Sequence, residues 1–371
     1  MVLSATIQST LLRYQREIDA ALRAAVHKAG SATKVSALDG YYGQMQYHLG
    51  WVDANLSAVK NNPGKLLRPT LLLLAYEAAG AWGLASNTTA AYPKHIERAL
   101  PAAAAIELTH NFTLIHDDVE DGDTERRHRA TVWKLWGVPQ AINTGDGMYA
   151  LARLTLWGVL DQGVEGTIAA RLGETLDRTC LVIAEGQYLD MTFETRQDIS
   201  VNMYKGMISR KTAALMECAA QMGGMLGTRD QETIKRLSNF GRAIGIAFQL
   251  RDDILGIWAT AAELGKTQAG DIYRRKKTLP VLHALEQANM HDRQVLSTLY
   301  TQESPVTAEQ VKDVLTVLER TQSRAFCLQY LAQQCQLAHE ALASIPHNSS
   351  SLAARALKDL ETLVHFVEET I

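Results

Sequence analysis

Apolar residues recur at the spacing of an α-helix along most of this chain. Leu237, Phe240, Ile244 and Ala247, for example, lie on one helical stripe. Strand-like alternation of apolar and polar residues is hard to find, and no proline occurs between residues 140 and 279. Because proline is the strongest breaker of helix interiors, such a stretch, rich in alanine and leucine, indicates helix. The pattern predicts an all-α protein.

Clusters of turn-forming residues interrupt the helical pattern. The predicted breaks lie at 61–64, 85–93, 122–130, 223–229, 259–277 and 346–351. No linker rich in glycine, proline or serine and no fixed-period repeat separates these segments. We therefore predict a single domain over residues 1–371, with a helical N-terminal lead-in at 1–50, the functional motifs within 60–285 and closing helices at 306–371.

Composition narrows the class of function. The formal net charge of −3 argues against general nucleic-acid binding, which usually needs a strong basic excess. The longest apolar run begins at Leu71 and meets Glu77, short of the roughly 20 residues that span a bilayer, so no membrane span is expected. The cysteines are scattered, which fits a reducing compartment, and the N-terminus has no signal-peptide pattern. A soluble, cytoplasmic protein is predicted.

Two aspartate doublets carry the chemistry. Asp117 and Asp121 share one helical face, with Asp118 beside them. Clustered carboxylates repel one another unless a cation offsets them, and Mg²⁺ is typically held by carboxylates together with substrate phosphates. We name Asp117, Asp118 and Asp121 the first aspartate cluster. The second aspartate cluster is Asp252 and Asp253, and Gly256 stands where a third aspartate would match Asp121.

These two clusters predict the metal ligands. The five candidate ligands are Asp117, Asp118, Asp121, Asp252 and Asp253. With roughly two or three Mg²⁺ ions, they could bind one diphosphate between two sides of a single site. Four further cations suggest a second diphosphate; they are Lys65, Arg68, Arg126 and Arg127. Two diphosphates and an apolar helical interior indicate a substrate with a charged head and a hydrocarbon tail.

His110 lies on the same helical stripe as Asp117 and Asp121. A histidine at this position could donate a hydrogen bond to a second phosphorylated ligand. The alternative is an ordinary histidine at a helix interface. The shared stripe favours the functional interpretation.

Six segments, taken together, resemble a known family. They are the segment from Gly64 to Pro69, HNFTLIHDDVEDGDTERRHRAT, EGQYLDM, SRKTAAL, FQLRDDILG and LGKTQAGDIYRRKKTLP, in family order over roughly residues 60–285. The chain resembles the trans-isoprenyl diphosphate synthases, or polyprenyl synthetases, and most of all the geranylgeranyl diphosphate synthases. The resemblance implies an all-α isoprenoid-synthase bundle around a central apolar cavity, usually a homodimer. It also implies Mg²⁺-dependent condensation of isopentenyl diphosphate with a dimethylallyl, geranyl or farnesyl diphosphate.

The resemblance also assigns roles to individual residues. Asp117, Asp118 and Asp121 match the first metal-binding motif, and Asp252 and Asp253 match the second. The residues matched to the allylic diphosphate and its reacting carbon are Arg126, Gln187, Lys211, Thr212, Gln249, Lys266 and Lys276. The residues matched to the isopentenyl diphosphate site are Lys65, Arg68, His110 and Arg127.

Three positions depart from the family pattern. Gly256 replaces the last aspartate of the second motif, His128 replaces a glycine usual after the paired arginines, and Tyr273 stands where an arginine is common. Because the ligands of the first cluster and Asp252 remain, activity is expected. Metal binding at the second cluster is expected to be weaker.

Product length in this family depends on residues just before the first motif. Phe112 lies five residues before Asp117, Thr113 is small, and two residues separate Asp118 from Asp121. This pattern resembles geranylgeranyl (C20) synthases more than farnesyl (C15) synthases. Phe112 is therefore predicted to limit the chain length. The alternative is that Phe112 is an ordinary core residue and another helix forms the floor.

Other functions stay open at this point. The product could be C15, or C25 and longer. A class I terpene cyclase also uses aspartate-rich metal sites, but it needs no second diphosphate site. A further alternative, from a different functional class, is a non-catalytic subunit that tunes another synthase. Loss of the first aspartate cluster would favour this alternative. That cluster is intact.

Overall fold

The computed structural model describes residues 5–59, 64–83, 94–259, 269–346 and 350–369. The helices are α1 Ala5–Leu12, α2 Gln15–Thr33, α3 Asp39–His48, α4 Leu67–Ala78, α5 Leu100–Glu120, α6 Val132–Trp136, α7 Val138–Trp157, α8 Gly166–Thr195, α9 Val201–Ile208, α10 Ala214–Gly227, α11 Gln231–Trp258, α12 Gly270–Tyr273, α13 Leu279–Gln287, α14 Met290–Thr301, α15 Ala308–Arg320, α16 Ser323–Ala343 and α17 Ser351–Glu368. Short 3₁₀ turns lie at Ser36–Leu38 and Lys94–Arg98, and a π-helical turn lies at Ser209–Ala213. The all-α prediction is confirmed.

Helices α4 and α10 form the centre of the core. Every residue of α4 from Pro69 to Ala78 is buried, as expected for a helix that is apolar on all sides. The helices pack closely because α10 presents glycines to α4. A β-carbon added at Gly223 would lie 2.9 Å from the backbone nitrogen of Tyr76. The predicted break at 223–229 is therefore wrong in its first part, since these glycines are packing positions inside a helix that runs to Gly227.

The segment after α5 folds as a small hairpin. Strand β1 (Glu125–Arg126) pairs antiparallel with β2 (Arg129–Ala130). The two turn residues, Arg127 and His128, have φ angles of 53° and 59°. Positive φ at both central residues is the requirement of a type I′ hairpin turn, a position where glycine is favoured. The hairpin therefore explains why the family glycine stands where this chain has His128.

The N-terminal and C-terminal helices close over the core together. Ile18, Leu22 and Val26 of α2 are buried in it. Arg13, between α1 and α2, pairs with Glu77 of α4 at 2.6 Å and with Asp359 of α17 at 2.5 Å. Arg13 therefore joins the described part of the lead-in to both α4 and α17.

A second apolar cluster lies at the carboxyl end of α11. It joins that helix to α12, α13, α14 and α15, and its members include Ile257, Ile272, Val281, Leu296 and Val314. Among the helices of the described ranges, none has both the length and the apolar character needed to cross a bilayer.

Candidate active site

The first aspartate cluster lies at the carboxyl end of α5. Asp118 is buried, and its Oδ1 accepts a hydrogen bond of 2.6 Å from Nε of Arg126 in the hairpin. Nη2 of Arg126 lies 3.5 Å from Oδ2 of Asp117. Within the described residues, Oδ2 of Asp118 has no hydrogen-bond partner. Burial raises the pKa of Asp118 to about 6 although Arg126 opposes the shift.

Lys211 faces this cluster from the π-helical turn. Its Nζ lies 3.1 Å from Oδ1 of Asp117 and 2.5 Å from Oδ2 of Asp190 on α8. Burial alone would lower the pKa of Lys211, but the two carboxylates raise it above its ordinary value. Desolvation and repulsion from Asp117 raise the pKa of Asp121 to about 6. The cluster is thus a crowded set of carboxylates held by two cations.

The π-helical turn brings Lys211 and Thr212 to the site. Such turns are rare and are frequently found at functional sites. Helix α8 packs directly against it at Gly186, where an added β-carbon would lie 2.7 Å from Cα of Lys211. Next to it, Nε2 of Gln187 donates to Oε2 of Glu120 at 2.7 Å. Gln187 of α8 therefore lies beside the carboxyl end of α5 and is hydrogen-bonded to Glu120.

The second aspartate cluster lies on α11 in a different environment. Asp253 is buried, and its carboxylate accepts hydrogen bonds from the hydroxyl of Tyr204 at 2.7 Å and from Nε2 of Gln249 at 3.0 Å. Thr212 donates to Oε1 of Gln249 at 2.8 Å. Asp252 is exposed. Burial raises the pKa of Asp253 to about 7, and Asp271 adds to the shift.

The position of Asp271 explains why residue 256 has no side chain. The carboxylate of this buried residue on α12 occupies the space beside Gly256, where an added β-carbon would lie 2.7 Å from Cγ of Asp271. Nη2 of Arg274 donates to Oδ1 of Asp271 at 2.8 Å. The position that carries an aspartate in the family motif is therefore filled here by a carboxylate from another helix.

Of the two lysines that were matched to the allylic diphosphate, Lys266 and Lys276, the structure describes one. Lys276 is exposed, and its charge opposes the upward pKa shift of Asp121, so it lies on the same side as the first aspartate cluster. Lys266 lies outside the described residues.

A basic pocket of about 260 Å³ adjoins the first aspartate cluster. Its polar lining consists of Tyr47, His48, Asp118, Arg126, Arg127, Arg129 and Thr131. Burial, with the three arginines, lowers the pKa of His48 to about 3, so the imidazole is neutral. Arg129 is held by the carbonyls of Tyr47 at 3.0 Å and Val52 at 2.6 Å. Three guanidinium groups around one small cavity form a site for an anion.

Four residues were matched to the isopentenyl diphosphate site, namely Lys65, Arg68, His110 and Arg127, and of these Arg127 lines the pocket. Nη1 of Arg68 lies 3.1 Å from Nε2 of His110. The guanidinium of Arg127 packs against Gly64, whose φ is +91° and where an added β-carbon would lie 3.2 Å from Cζ of Arg127. Desolvation lowers the pKa of Lys65 and the charge of Asp252 opposes that shift, so Lys65 lies near the second aspartate cluster. Burial and Arg68 keep His110 neutral by lowering its pKa well below the usual value.

Several residues of the site escaped the sequence analysis. They are His48, Arg129, Asp190, Tyr204 and Asp271. Asp190, Arg129 and Asp271 lie inside quoted motifs, so their position was a signal. His48 and Tyr204 lie outside every quoted motif and carry no such signal.

The two chain-length candidates lie one turn below the first aspartate cluster. The ring of Phe112 is half-buried and packs edge-on against Tyr149 of α7, with ring centroids 5.2 Å apart. The hydroxyl of Thr113 donates to the carbonyl of His110 at 2.7 Å. Phe112 thus points toward α7, and its effect on product length stays a prediction.

Comparison with known proteins identifies the family. The polyprenyl synthetase family model matches residues 50–318. A geranylgeranyl diphosphate synthase of Mycobacterium tuberculosis is 36% identical over 316 residues, covering 85% of this chain and 84% of the relative. A (2E,6E)-farnesyl diphosphate synthase of Mycobacterium bovis is 38% identical over 264 residues, covering 71% of this chain and 68% of the relative.

A solved structure agrees with these relatives. The crystal structure of polyprenyl synthetase from Streptomyces coelicolor A3(2) superimposes with a TM-score of 0.81 at 32% identity, covering 97% of this chain and 99% of that one. This chain belongs to the polyprenyl synthetase family. The predicted family and enzyme class, a trans-prenyltransferase, are confirmed.

Proposed function

We propose that this enzyme condenses isopentenyl diphosphate with an allylic diphosphate and releases geranylgeranyl diphosphate (C20). The observation that carries the proposal is the junction of two anion sites at Asp118 and Arg126. Both residues line the basic pocket; Asp118 belongs to the first aspartate cluster, and Arg126 donates a hydrogen bond to it. One diphosphate at each site would place two reacting chains side by side, which is the proximity that condensation requires.

The first aspartate cluster fits Mg²⁺. Oδ2 of Asp118 is buried and has no hydrogen-bond partner among the described residues, and the ligands available there are carboxylate oxygens. Hard divalent ions prefer such oxygens. Asp117, Asp118, Asp121, Asp252 and Asp253 would hold the ions. Bound Mg²⁺ would supply positive charge to the allylic diphosphate as its carbon–oxygen bond breaks.

The remaining residues would bind and orient the two substrates. Lys211, Arg126 and Lys276 are cations around the first aspartate cluster and would hold the oxygens of the allylic diphosphate. Thr212 and Gln187 flank the reacting carbon in this proposal, since both lie on the segments that meet at Gly186. The cations that would hold isopentenyl diphosphate are Lys65, Arg68 and Arg127, with His110 between them.

The bond changes balance without a further reactant. The allylic carbon–oxygen bond breaks, and pyrophosphate leaves with the electron pair. The double bond of isopentenyl diphosphate then attacks the allylic carbon to form the new carbon–carbon bond. A proton is lost from the adduct to the pyrophosphate, which forms the new double bond.

We propose that two copies of the chain associate. Apolar side chains are exposed on neighbouring helices α7 and α8: Leu154 is 68% exposed, Leu181 64% and Tyr188 70%. Apolar side chains exposed together on adjoining helices support a contact surface in this proposal, and a second copy would cover them. A single domain over 1–371 and a cytoplasmic location remain predictions of the sequence.

An assay of the purified protein tests the function. The chain alone, with Mg²⁺, isopentenyl diphosphate and each allylic primer in turn, is expected to give a C20 product on chromatography. No elongation would favour the non-catalytic subunit, and a cyclic hydrocarbon would favour the cyclase. A C15 product, or one of C25 and longer, would replace the C20 assignment and leave the reaction class unchanged.

Phe112→Ala tests the chain-length assignment. Removing the ring should open the space next to Tyr149 and lengthen the product by at least one prenyl unit. Tyr149→Phe is the matched control, since it keeps both rings and should leave the product unchanged. An unchanged product from Phe112→Ala would place the floor on another helix.

A further inference from the structure

Two histidines and two glutamates meet on the closing helices, away from the diphosphate sites. His339 lies on α16, and His365 and Glu368 lie one turn apart on α17. The carboxylate of Glu368 bridges the two imidazoles, with Oε1 2.9 Å from Nε2 of His339 and Oε2 2.9 Å from Nδ1 of His365. One ligand atom from each of these three residues lies within 4.8 Å of the others.

The second ring nitrogen of His339 has its own carboxylate. Oε2 of Glu361 lies 2.7 Å from Nδ1 of His339. Histidines that bind metals typically donate their other N–H to a carboxylate in this way, which fixes the tautomer and makes the ligating nitrogen more basic. When Nδ1–H of His339 donates to Glu361, the Nε2 atom of His339 faces Oε1 of Glu368. In the neutral imidazole this Nε2 is a hydrogen-bond acceptor, like the carboxylate oxygen that it faces. Two acceptors can lie this close only with a proton or a metal ion between them.

The spacing is close to that of a metal site. Zn²⁺ binds imidazole nitrogen and carboxylate oxygen at about 2.0–2.1 Å, so tetrahedral ligand atoms lie about 3.3 Å apart. The hydrogen-bonded nitrogen and oxygen atoms lie 2.9 Å apart and all three ligand atoms lie within 4.8 Å of one another, values that bracket this separation. His339, His365 and Glu368 are partly exposed, with 26%, 65% and 33% of their side chains accessible, so an ion can enter.

We propose that His339, His365 and Glu368 bind a divalent transition-metal ion, with Glu361 orienting His339. Two imidazoles and one carboxylate favour Zn²⁺, Co²⁺ or Ni²⁺ over Mg²⁺, which prefers oxygen ligands. The site is therefore chemically distinct from the aspartate clusters. A water molecule completes the fourth position.

Such an ion would cross-link α16 to the last turn of α17. Phe366, next to His365, packs on α11: the guanidinium of Arg251 lies 4.3 Å from its ring centroid, and the ring of Phe248 lies 6.1 Å away. Arg251 directly precedes Asp252 in the second aspartate cluster. The ion would hold the end of α17 against the helix that carries that cluster, and its role is structural.

Metal binding by the full-length protein tests the proposal. The protein is treated with a chelator, dialysed and titrated with Co²⁺ and then Zn²⁺ in excess Mg²⁺, which occupies the aspartate clusters. The expected result is a visible Co²⁺ spectrum of a nitrogen-ligated site, displaced by one Zn²⁺ per chain. His339→Gln with His365→Gln should abolish the spectrum and weaken Zn²⁺ binding by at least about 100-fold.

Two further variants separate the ligands from their surroundings. Glu361→Gln should keep the site but weaken it by about 10-fold to 100-fold. His291→Gln removes an exposed histidine elsewhere and should change nothing. Far-ultraviolet circular dichroism verifies folding, and Glu368→Gln replaces the double variant if that one unfolds. Unchanged Zn²⁺ affinity in the ligand variants, or Zn²⁺ binding that excess Mg²⁺ abolishes, would overturn the proposal.

Discussion

The two aspartate doublets have nearly the same sequence but different surroundings. In the first aspartate cluster, Asp117 and Asp118 pair with two cations, Arg126 and Lys211. In the second, Asp253 is bonded to neutral donors, the Tyr204 hydroxyl and the Gln249 amide. The comparison shows that the sequence motif determines which carboxylates are present. The segments packed against the motif determine their partners, and therefore the pKa of each carboxyl.

The pKa values of Asp118 and Asp253 reflect these different surroundings. Burial raises the pKa of Asp118 to about 6 and that of Asp253 to about 7. Neighbouring carboxylates add to the shift in both cases, but the charged Arg126 opposes it at Asp118, whereas neutral hydrogen-bond donors, Gln249 and Tyr204, oppose it at Asp253. The second aspartate cluster is therefore less disposed to carry full negative charge near neutral pH.

Removing a ligand from each cluster should give the largest effect. Asp117→Ala is expected to lower kcat by roughly 10³-fold or more, because metal-assisted departure of the diphosphate is lost. Asp253→Asn, which keeps the shape of a buried side chain, should cost less. Steady-state kinetics on both variants, with folding verified by circular dichroism, measures the ratio. Near-normal turnover of Asp117→Ala, or a larger loss for Asp253→Asn, would reverse the ranking of the two clusters.

Gly256→Ala should disturb the second cluster specifically. The added methyl overlaps the Asp271 carboxylate, and we expect a loss of about 1–3 kcal/mol in the free energy of unfolding together with weaker Mg²⁺ binding. Gly40→Ala, at a helical glycine with open space around it, is the control and should lose nothing. Adding Asp271→Ala to Gly256→Ala should recover the stability. A stable Gly256→Ala single variant would refute the close contact.

Acidification should affect the second cluster before the first. Mg²⁺ needs ionised carboxylates, so its affinity should fall as the pH drops through about 7 at Asp253 and then through about 6 at Asp118 and Asp121. In the metal-free protein these three carboxyls should act on stability in the opposite direction. Since the folded pKa of each is raised, the folded state binds more protons at them than the unfolded state, and their contribution to stability rises as the pH falls from 8 toward 5. His48 and His110, whose folded pKa values are lowered, oppose this change below the ordinary pKa of histidine.

The control for this pH dependence is Asp253→Asn. It should lose the part of the stability change that lies near pH 7 and keep the part near pH 6. Thermal unfolding in chelator at a series of pH values measures both. Identical curves for the two proteins would show that Asp253 does not titrate in this range.

Tyr204→Phe should have a smaller effect. Loss of the hydroxyl removes one donor to the ionised Asp253, so the pKa of that carboxyl rises further and the acidic limb of the rate profile moves to higher pH. At optimal pH we expect kcat to fall by less than about 10-fold. Tyr188→Phe, at an exposed tyrosine, is the comparison. A pH profile that does not move would remove Tyr204 from the second cluster.

The smallest effect is expected at the hairpin beside the first cluster. His128 has a φ of 59° in the type I′ turn, where glycine carries no steric penalty. His128→Gly should therefore raise the free energy of unfolding by up to about 1 kcal/mol and leave kcat unchanged. Urea unfolding measures the difference. A destabilised variant would mean that the imidazole makes a contact that outweighs its backbone strain.

Much of the architecture could be predicted from local patterns. The absence of proline between 140 and 279 matches the long helices α8 and α11. The stripe from His110 to Asp117 lies on one helix, α5, and Asp121 is the residue that caps its carboxyl end, because three- and four-residue spacing is a property of the helix itself. Glycines were harder to interpret: Gly223 indicated a break, but its role is to let α10 approach α4.

The sequence by itself determined the helices, the order of the motifs and the residue types of the site, because each depends on near neighbours in the chain. Only the tertiary structure decided that Asp271 fills the space beside Gly256, that Tyr204 donates to Asp253 and that Asp190 shares Lys211 with Asp117. These contacts join helices far apart in sequence, and no periodicity encodes which side chain will meet which. Packing therefore decided how each aspartate doublet is charged.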